Sequence, residues 1–172
     1  MKLNGKKIAI FTADLHDERE FWYPYYRMIE EGAEVTVIGP HAGTFAGKTG
    51  LPVTADLDIH KANTDEFDAL IIPGGYGPDH MRRVPAMVEF VKHMHEEGKV
   101  VAAICHAGWM LASAEILQGR TVTSYIAIRD DLVHAGAEWI DRDVVIDSNI
   151  ITSRFQDDLP SFTRAIIDTL SK

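Results

Sequence analysis

Residues 100–109 read VVAAICHAGW, an apolar strand that runs directly into a cysteine followed by small residues. A short all-apolar strand is typical of the centre of a parallel sheet, where both faces are covered. A strand that passes through a tight turn into a helix is typical of a nucleophile elbow, which projects its turn side chain into a crevice. The pattern therefore makes Cys105 a candidate nucleophile; the alternative is a structural cysteine buried at a strand end.

Outward from this segment, predicted strands and helices alternate along the chain. Predicted strands lie at Lys7–Thr12, Glu34–Ile38, Ala69–Ile72, Thr121–Thr123, Val144–Ile146 and Ile150–Thr152, with a half-exposed or edge segment at Pro52–Ile59. Predicted helices lie at Glu20–Glu31, Met87–Glu97, His106–Leu117 and Leu159–Leu170. Strands separated by helices indicate right-handed βαβ units, and so an α/β fold whose mainly parallel sheet is covered on both faces. In such folds the working site lies at the carboxyl ends of the strands.

Composition narrows the classes of function. A chain of 172 residues with 46% hydrophobic residues suits one domain over residues 1–172, with a sizeable core. The net charge of −9 argues against nucleic acid as a partner. One cysteine excludes an internal disulfide and a multi-thiolate metal site, and the histidines show no metal-ligand spacing, so we expect no metal.

The sequence shows no membrane-spanning or targeting pattern. No stretch approaches the ~20 apolar residues that span a bilayer, so we expect no membrane partner. The apolar run Ile8–Ala13 ends at Asp14 without a small-residue cleavage site. We therefore expect no signal peptide and a cytoplasmic protein.

Three turns are predicted to meet at the carboxyl edge of the sheet: Thr12–Asp17, Pro73–Asp79 and Cys105 with His106. The start of the following helix is expected to lower the pKa of the Cys105 thiol. His106 is either its proton-transfer partner or a helix cap, since adjacent residues rarely bring an imidazole onto the preceding thiol.

Each of the other two turns, Pro73–Asp79 and Thr12–Asp17, has both a chemical and a structural interpretation. The backbone amides at Gly74 and Gly75 can approach a ligand and stabilise an oxyanion, although alone this segment would be a plain turn. The carboxylate of Asp17 can accept a hydrogen bond from the thiol, although spacing alone favours an acidic turn that caps the next helix.

Taken together, these stretches resemble the PfpI-type intracellular protease and general stress protein family of the DJ-one superfamily, over nearly the whole chain. The residues that carry the resemblance are Phe21–Pro24, Phe67–Gly75, Ala103–His106, Arg129–Leu132, Ala135–Ala137, Ile151–Arg154 and Asp157–Leu159. The resemblance implies a flavodoxin-like three-layer sandwich with a nucleophile elbow. It also implies homodimers, and in some members hexamers.

The resemblance also assigns roles. The nucleophile falls on Cys105, its partner on His106, and the oxyanion donors on the backbone of Gly75 and His106. The family's Glu beside the cysteine aligns with Asp17, and the Glu that reaches across a subunit interface toward the histidine falls on Asp79. Each Asp is one methylene shorter, so either hydrogen bond would need a water or a backbone shift. Ala107 replaces a family Gly, a strained change if its φ is positive.

The function implied is a cofactor-free cysteine enzyme acting on carbonyl compounds: peptides, dicarbonyls such as methylglyoxal, or early glycation adducts on proteins. The alternative is a redox sensor in which Asp17 stabilises oxidised Cys105. A glutamine amidotransferase uses a similar elbow but needs a downstream His paired with Glu. No histidine follows His134 and no His-x-Glu occurs there, so this function ranks last.

Overall fold

A computed structural model describes all 172 residues. Its centre is a seven-stranded sheet in the order β10-β11-β7-β6-β1-β2-β5. The strands are β1 Lys7–Phe11, β2 Glu34–Gly39, β3 Thr44–Ala46, β4 Pro52–Thr54, β5 Leu57–Asp58, β6 Ala69–Ile72, β7 Val100–Ile104, β8 Thr121–Val122, β9 Glu138–Trp139, β10 Val145–Asp147 and β11 Ile150–Ser153. The helices are α1 Glu18–Glu30, α2 Gly77–Met81, α3 Pro85–Glu96, α4 Gly108–Ser113, α5 Arg129–His134 and α6 Leu159–Leu170.

All neighbouring strands of this sheet run parallel except β10 and β11. Side chains of β7 alternate between its two faces. Val101 and Ala103 join the core formed with α3, α4 and α5, whereas Ala102 and Ile104 join the core formed with α1 and α6. Because both faces are covered, all five β7 residues are buried, which is why this strand reads as a continuous apolar run. The predicted α/β, flavodoxin-like three-layer sandwich is confirmed.

Several predicted boundaries differ from the structure. The segment predicted as one strand at Pro52–Ile59 forms β4 and β5, and β4 pairs with β3 in a separate hairpin. The helix predicted at His106–Leu117 is shorter: a 3₁₀ turn spans Cys105–Ala107 and α4 ends at Ser113. The short elements β3, β9 and α2 were not predicted, because two to five residues carry too little periodicity.

The three predicted turns meet where they were expected, after β1, β6 and β7 at the carboxyl edge of the sheet. An isolated bridge joins His16 of the first turn to Gly75 of the second. The Tyr76 amide also donates to the Leu15 carbonyl at 2.9 Å. None of the six helices combines the length and apolar character that crossing a bilayer requires.

Candidate active site

Cys105 occupies a left-handed backbone position at the end of β7, with φ of 62°. A non-glycine residue pays a steric penalty in this region, so the surrounding structure must hold it there. The small residues that follow make this possible. Gly108 lets α4 pack closely, because a Cβ there would lie 3.0 Å from the Leu132 side chain and would require it to shift. Ala107 has an ordinary helical φ of −62°, so its replacement of the family Gly introduces no strain.

The glycine loop after β6 closes over the thiol. Gly75 has φ of 75°, and a Cβ there would lie 2.5 Å from the backbone nitrogen of Asp17. A Cβ on Gly74 would lie 2.7 Å from that of Cys105. The amides of Gly75 and His106 both donate toward the sulfur. The two donors named from sequence are therefore brought together at one atom, where they can also stabilise an oxyanion.

The carboxyl group at the thiol belongs to Glu20, a residue that was not among the predicted site residues. Glu20 is 1% exposed, and its Oε2 accepts a 2.7 Å hydrogen bond from the Gly74 amide. It is also hydrogen-bonded to Cys105. Burial, and then the negative charge of Asp17, raise the pKa of Glu20 to about 7. The acid beside the sulfur is therefore a Glu, so the shorter side chain of an Asp does not limit this contact.

The prediction that Asp17 lies beside the sulfur is wrong, because its carboxylate contacts other groups. Asp17 caps α1, accepting hydrogen bonds from the amides of Arg19 at 3.0 Å and Glu20 at 3.3 Å. It also pairs with the Arg19 guanidinium at 3.0 Å and lies 3.5 Å from the Lys48 ammonium. Burial opposes ionisation, but these cations and amides hold the pKa of Asp17 below its ordinary value. The capping alternative from spacing alone describes Asp17 correctly.

The backbone amide at the helix start acts to lower the pKa of the thiol, as expected, but the net shift is upward. Burial, and then the carboxylate of Glu20, raise the pKa of Cys105, although the amides of Gly75 and His106 act in the opposite direction. Two acids in hydrogen-bond contact titrate as a pair and release their protons in two steps. The first proton leaves near the raised pKa of Glu20, about 7, whereas removing the second places two negative charges side by side. In the singly ionised pair, Glu20 can accept the thiol proton.

His106 lies closer to the sulfur than its position in sequence indicated: its Nδ1 is 3.3 Å from Cys105 Sγ. Its ring stacks on Tyr125 with centroids 5.2 Å apart and meets Trp109 edge-on at 5.1 Å. Burial, and then the charge of Lys48, lower the pKa of His106. The imidazole is therefore neutral at neutral pH and can both accept and donate a proton. Asp79 is exposed on α2 and its side chain makes no hydrogen bond or ion pair within the chain.

Cys105, Glu20 and His106 line one cavity of about 530 Å³. Its lining comprises Asp17, Arg19, Glu20, Lys48, Gly75, Tyr76, Cys105, His106, Tyr125, Phe155 and Gln156. No group of three His, Cys, Asp or Glu side chains is placed to hold a metal ion. A thiol with an adjacent acid, an adjacent imidazole and two converging amides can add to a carbonyl carbon and move protons around the adduct.

Comparisons with known proteins identify the family of the chain. A model of the DJ-1/PfpI family matches residues 6–169. The relative named "Deglycase PfpI" from Pyrococcus furiosus is 45% identical over 164 residues, covering 95% of this chain and 99% of the relative. "General stress protein 18" from Bacillus subtilis is 40% identical over 171 residues, covering 98% of this chain and 99% of the relative.

Solved structures show the same fold. A two-domain protein from Anabaena variabilis, with dj-1/thij/pfpi-like and ferritin-like domains, superposes with a TM-score of 0.94 at 42% identity. That match covers 96% of this chain and 48% of the two-domain protein. Drosophila melanogaster DJ-1beta superposes with a TM-score of 0.91 at 27% identity, covering 96% of this chain and 90% of the other. The family match over residues 6–169, together with these relatives, establishes that the chain belongs to the DJ-1/PfpI family.

Proposed function

We propose that this protein is a cysteine-dependent enzyme of deglycase type, which acts on early adducts of 2-oxoaldehydes with amines or thiols. The observation that carries the proposal is the hydrogen-bonded pair of Cys105 and Glu20 in a cavity that also holds His106 and two amide donors. Several relatives, 43–45% identical, are named deglycases. A cavity of about 530 Å³ is of the size that encloses small ligands.

The first step exchanges the substrate's amine for the enzyme's thiol. Glu20 takes the thiol proton as sulfur bonds to the former aldehyde carbon of the adduct. The bond from that carbon to nitrogen breaks, and the amine leaves with the proton that Glu20 has accepted. In this proposal the amides of Gly75 and His106, which face the sulfur, hold the oxygen on this carbon. The product is a thiohemiacetal on Cys105 and a repaired amine.

The second step is an internal redox reaction that needs no external oxidant. His106 moves the proton on the sulfur-bound carbon to the adjacent carbonyl carbon, through an enediol. The first carbon becomes a thioester, so it is oxidised, and the second becomes an alcohol, so it is reduced. Water then cleaves the thioester, and the 2-hydroxy acid and free thiol are released. For methylglyoxal the acid is lactate. Only the thiol, one acid and one imidazole are required.

The proposal includes a homo-oligomer, as the family resemblance implies. The carboxylate of Asp79 has no partner within the chain and is exposed, so it is free to meet His106 of a second copy. The competing function, a redox sensor, uses the same thiol and would show peroxide oxidation of Cys105 without carbonyl turnover.

The test uses a preformed methylglyoxal adduct of N-acetyl-lysine, followed by amine release and lactate formation. With saturating enzyme, we expect the adduct to disappear faster than it dissociates spontaneously, and Cys105→Ser to remove the excess. Lactate formation limited to the spontaneous release rate would mean that only the free dicarbonyl is used, and would overturn the deglycase assignment. Neither product, with ready oxidation of Cys105 by peroxide, would favour the sensor.

A further inference from the structure

We infer that Lys48 is a substrate-binding residue that holds an anionic oxygen, such as a carboxylate, on the ligand at Cys105. The inference deepens the proposed function, because the hydroxy acid product carries a carboxylate and the enediol step puts negative charge on an oxygen. No sequence motif marks Lys48, and it enters the cavity from the loop between β3 and β4.

The loop that carries Lys48 is fixed to the start of α1 by several hydrogen bonds. The Lys48 amide donates to the His16 carbonyl at 3.0 Å. The amide and hydroxyl of Thr49 both donate to Glu18 Oε1, at 2.6 and 2.8 Å. A side chain at Gly47 would collide with Glu18. The backbone on both sides of Lys48 is therefore held in place at the mouth of the cavity.

The ammonium group itself is left with spare hydrogen-bonding capacity. Its one ion-pair partner is Asp17 at 3.5 Å, and it lies 5.7 Å from the centre of the Tyr76 ring. It donates no hydrogen bond to any acceptor of the chain, although an ammonium has three donors. The other cation of the cavity, Arg19, is committed, since its Nε and Nη2 both donate to Asp17.

The charge around the sulfur also favours an anion. Among the residues that line the cavity, Lys48 and Arg19 share the single carboxylate of Asp17 while Glu20 is protonated, and Asp157 outside the lining acts on Arg19 rather than on Lys48. The field of Lys48 reaches His106 and Glu20. A ligand anion within reach of Lys48 would thus lie beside the reacting sulfur, where a charge-assisted hydrogen bond is strong.

The test compares two alkylating probes of nearly the same shape, iodoacetate and iodoacetamide. Each forms a sulfur–carbon bond as the carbon–iodine bond breaks and iodide leaves, but only iodoacetate carries a carboxylate. Cys105 is the single cysteine, so mass spectrometry of the intact protein measures its alkylation once the labelling of histidines and methionines, seen in Cys105→Ser, is subtracted. The ratio of the two rates cancels any change in thiol reactivity. Measurement at about pH 6 keeps Glu20 mostly protonated.

We expect Lys48→Met to lower the ratio of iodoacetate to iodoacetamide rates by about tenfold. Lys48→Arg keeps the positive charge and should keep most of the ratio. Lys92→Met, which removes a lysine of α3 far from the cavity, should leave the ratio unchanged. An unchanged ratio in Lys48→Met would overturn the inference. No step depends on turnover, so a failure of the deglycase assay and a failure of this inference are separate outcomes.

Discussion

Glu20 Oε2 lies 2.7 Å from the amide nitrogen of Gly74, and this hydrogen bond ties the first helix to the loop that covers Cys105. The bond fixes a buried carboxyl group against the sulfur. Burial and the nearby charge of Asp17 make that carboxyl reluctant to ionise, which raises its pKa to about 7. A base with this pKa is matched to proton transfer at neutral pH.

The activity should therefore depend on the ionisation of the Glu20–Cys105 pair. Below pH 7 the pair holds both protons, so we expect kcat/KM to rise about tenfold per pH unit and to level off above about 7. Glu20→Gln cannot accept the thiol proton. It should lower kcat/KM about 100-fold or more and remove the inflection. A flat wild-type profile, or an inflection retained in Glu20→Gln, would contradict the assigned role.

The same carboxyl group should make the protein less stable as pH rises. Its pKa is raised in the folded state from an ordinary value of 4.5 to about 7, so between these values the folded state holds a proton that the unfolded state has lost. Stability contributed by the protonated form is complete below about pH 4.5 and declines until about pH 7. At pH 8, Glu20→Gln should raise the free energy of unfolding by roughly 1–3 kcal/mol.

Urea unfolding of both proteins at pH 4.5 and pH 8 measures this effect. Glu66→Gln, at an exposed position, is the control and should change stability little at either pH. Equal stability of wild type and Glu20→Gln at pH 8 would show that the Glu20 carboxyl is not under strain in the fold.

Replacing two glycines of nearly equal φ by Ala distinguishes the cost of a left-handed backbone from the cost of a steric clash. Gly75 has φ of 75° and Gly98 has φ of 73°. A Cβ on Gly98 meets nothing within 4 Å, whereas one on Gly75 lies 2.7 Å from the Leu15 carbonyl oxygen. Gly98→Ala should cost about 1 kcal/mol of stability and leave activity unchanged.

Gly75→Ala should cost at least about 2 kcal/mol, and it should lower kcat because it displaces the amide that faces the sulfur. Thermal unfolding and steady-state kinetics of the two variants provide the comparison. Equal losses of stability in both would mean that the contact between the first turn and the glycine loop is looser than described.

The fold was accessible from sequence because its central strands are covered on both faces. The segments 69–72 and 100–104 must be apolar throughout, and continuous apolar runs are easily recognised. Helix α6 matches its predicted bounds, Leu159–Leu170, because its apolar face repeats clearly over three turns. The Pro52–Ile59 segment was predicted as one strand because its alternation is regular, but tertiary pairing divides it between two sheets.

Glu20, the acid at the thiol, was not predicted because it lies on the buried face of α1 and not in a turn. The family resemblance assigns this carboxylate to Asp17, in the turn after β1. The buried positions of α1 are Glu20, Phe21, Pro24 and Met28, a spacing of one, three and four residues. A charged residue on the buried face of an amphipathic helix was the available signal, since an unpaired carboxyl is rarely buried without a function. Lys48 had no such signal, because its place in the cavity follows from hydrogen bonds between two loops.

The most direct test of the central claim is lactate formation from methylglyoxal, without added cofactor, by wild type and Cys105→Ser. The proposed mechanism predicts steady turnover by wild type and none by Cys105→Ser, whose hydroxyl is a far weaker acid than the thiol and a poor nucleophile beside Glu20. Turnover retained in Cys105→Ser would contradict a mechanism that proceeds through the thiol.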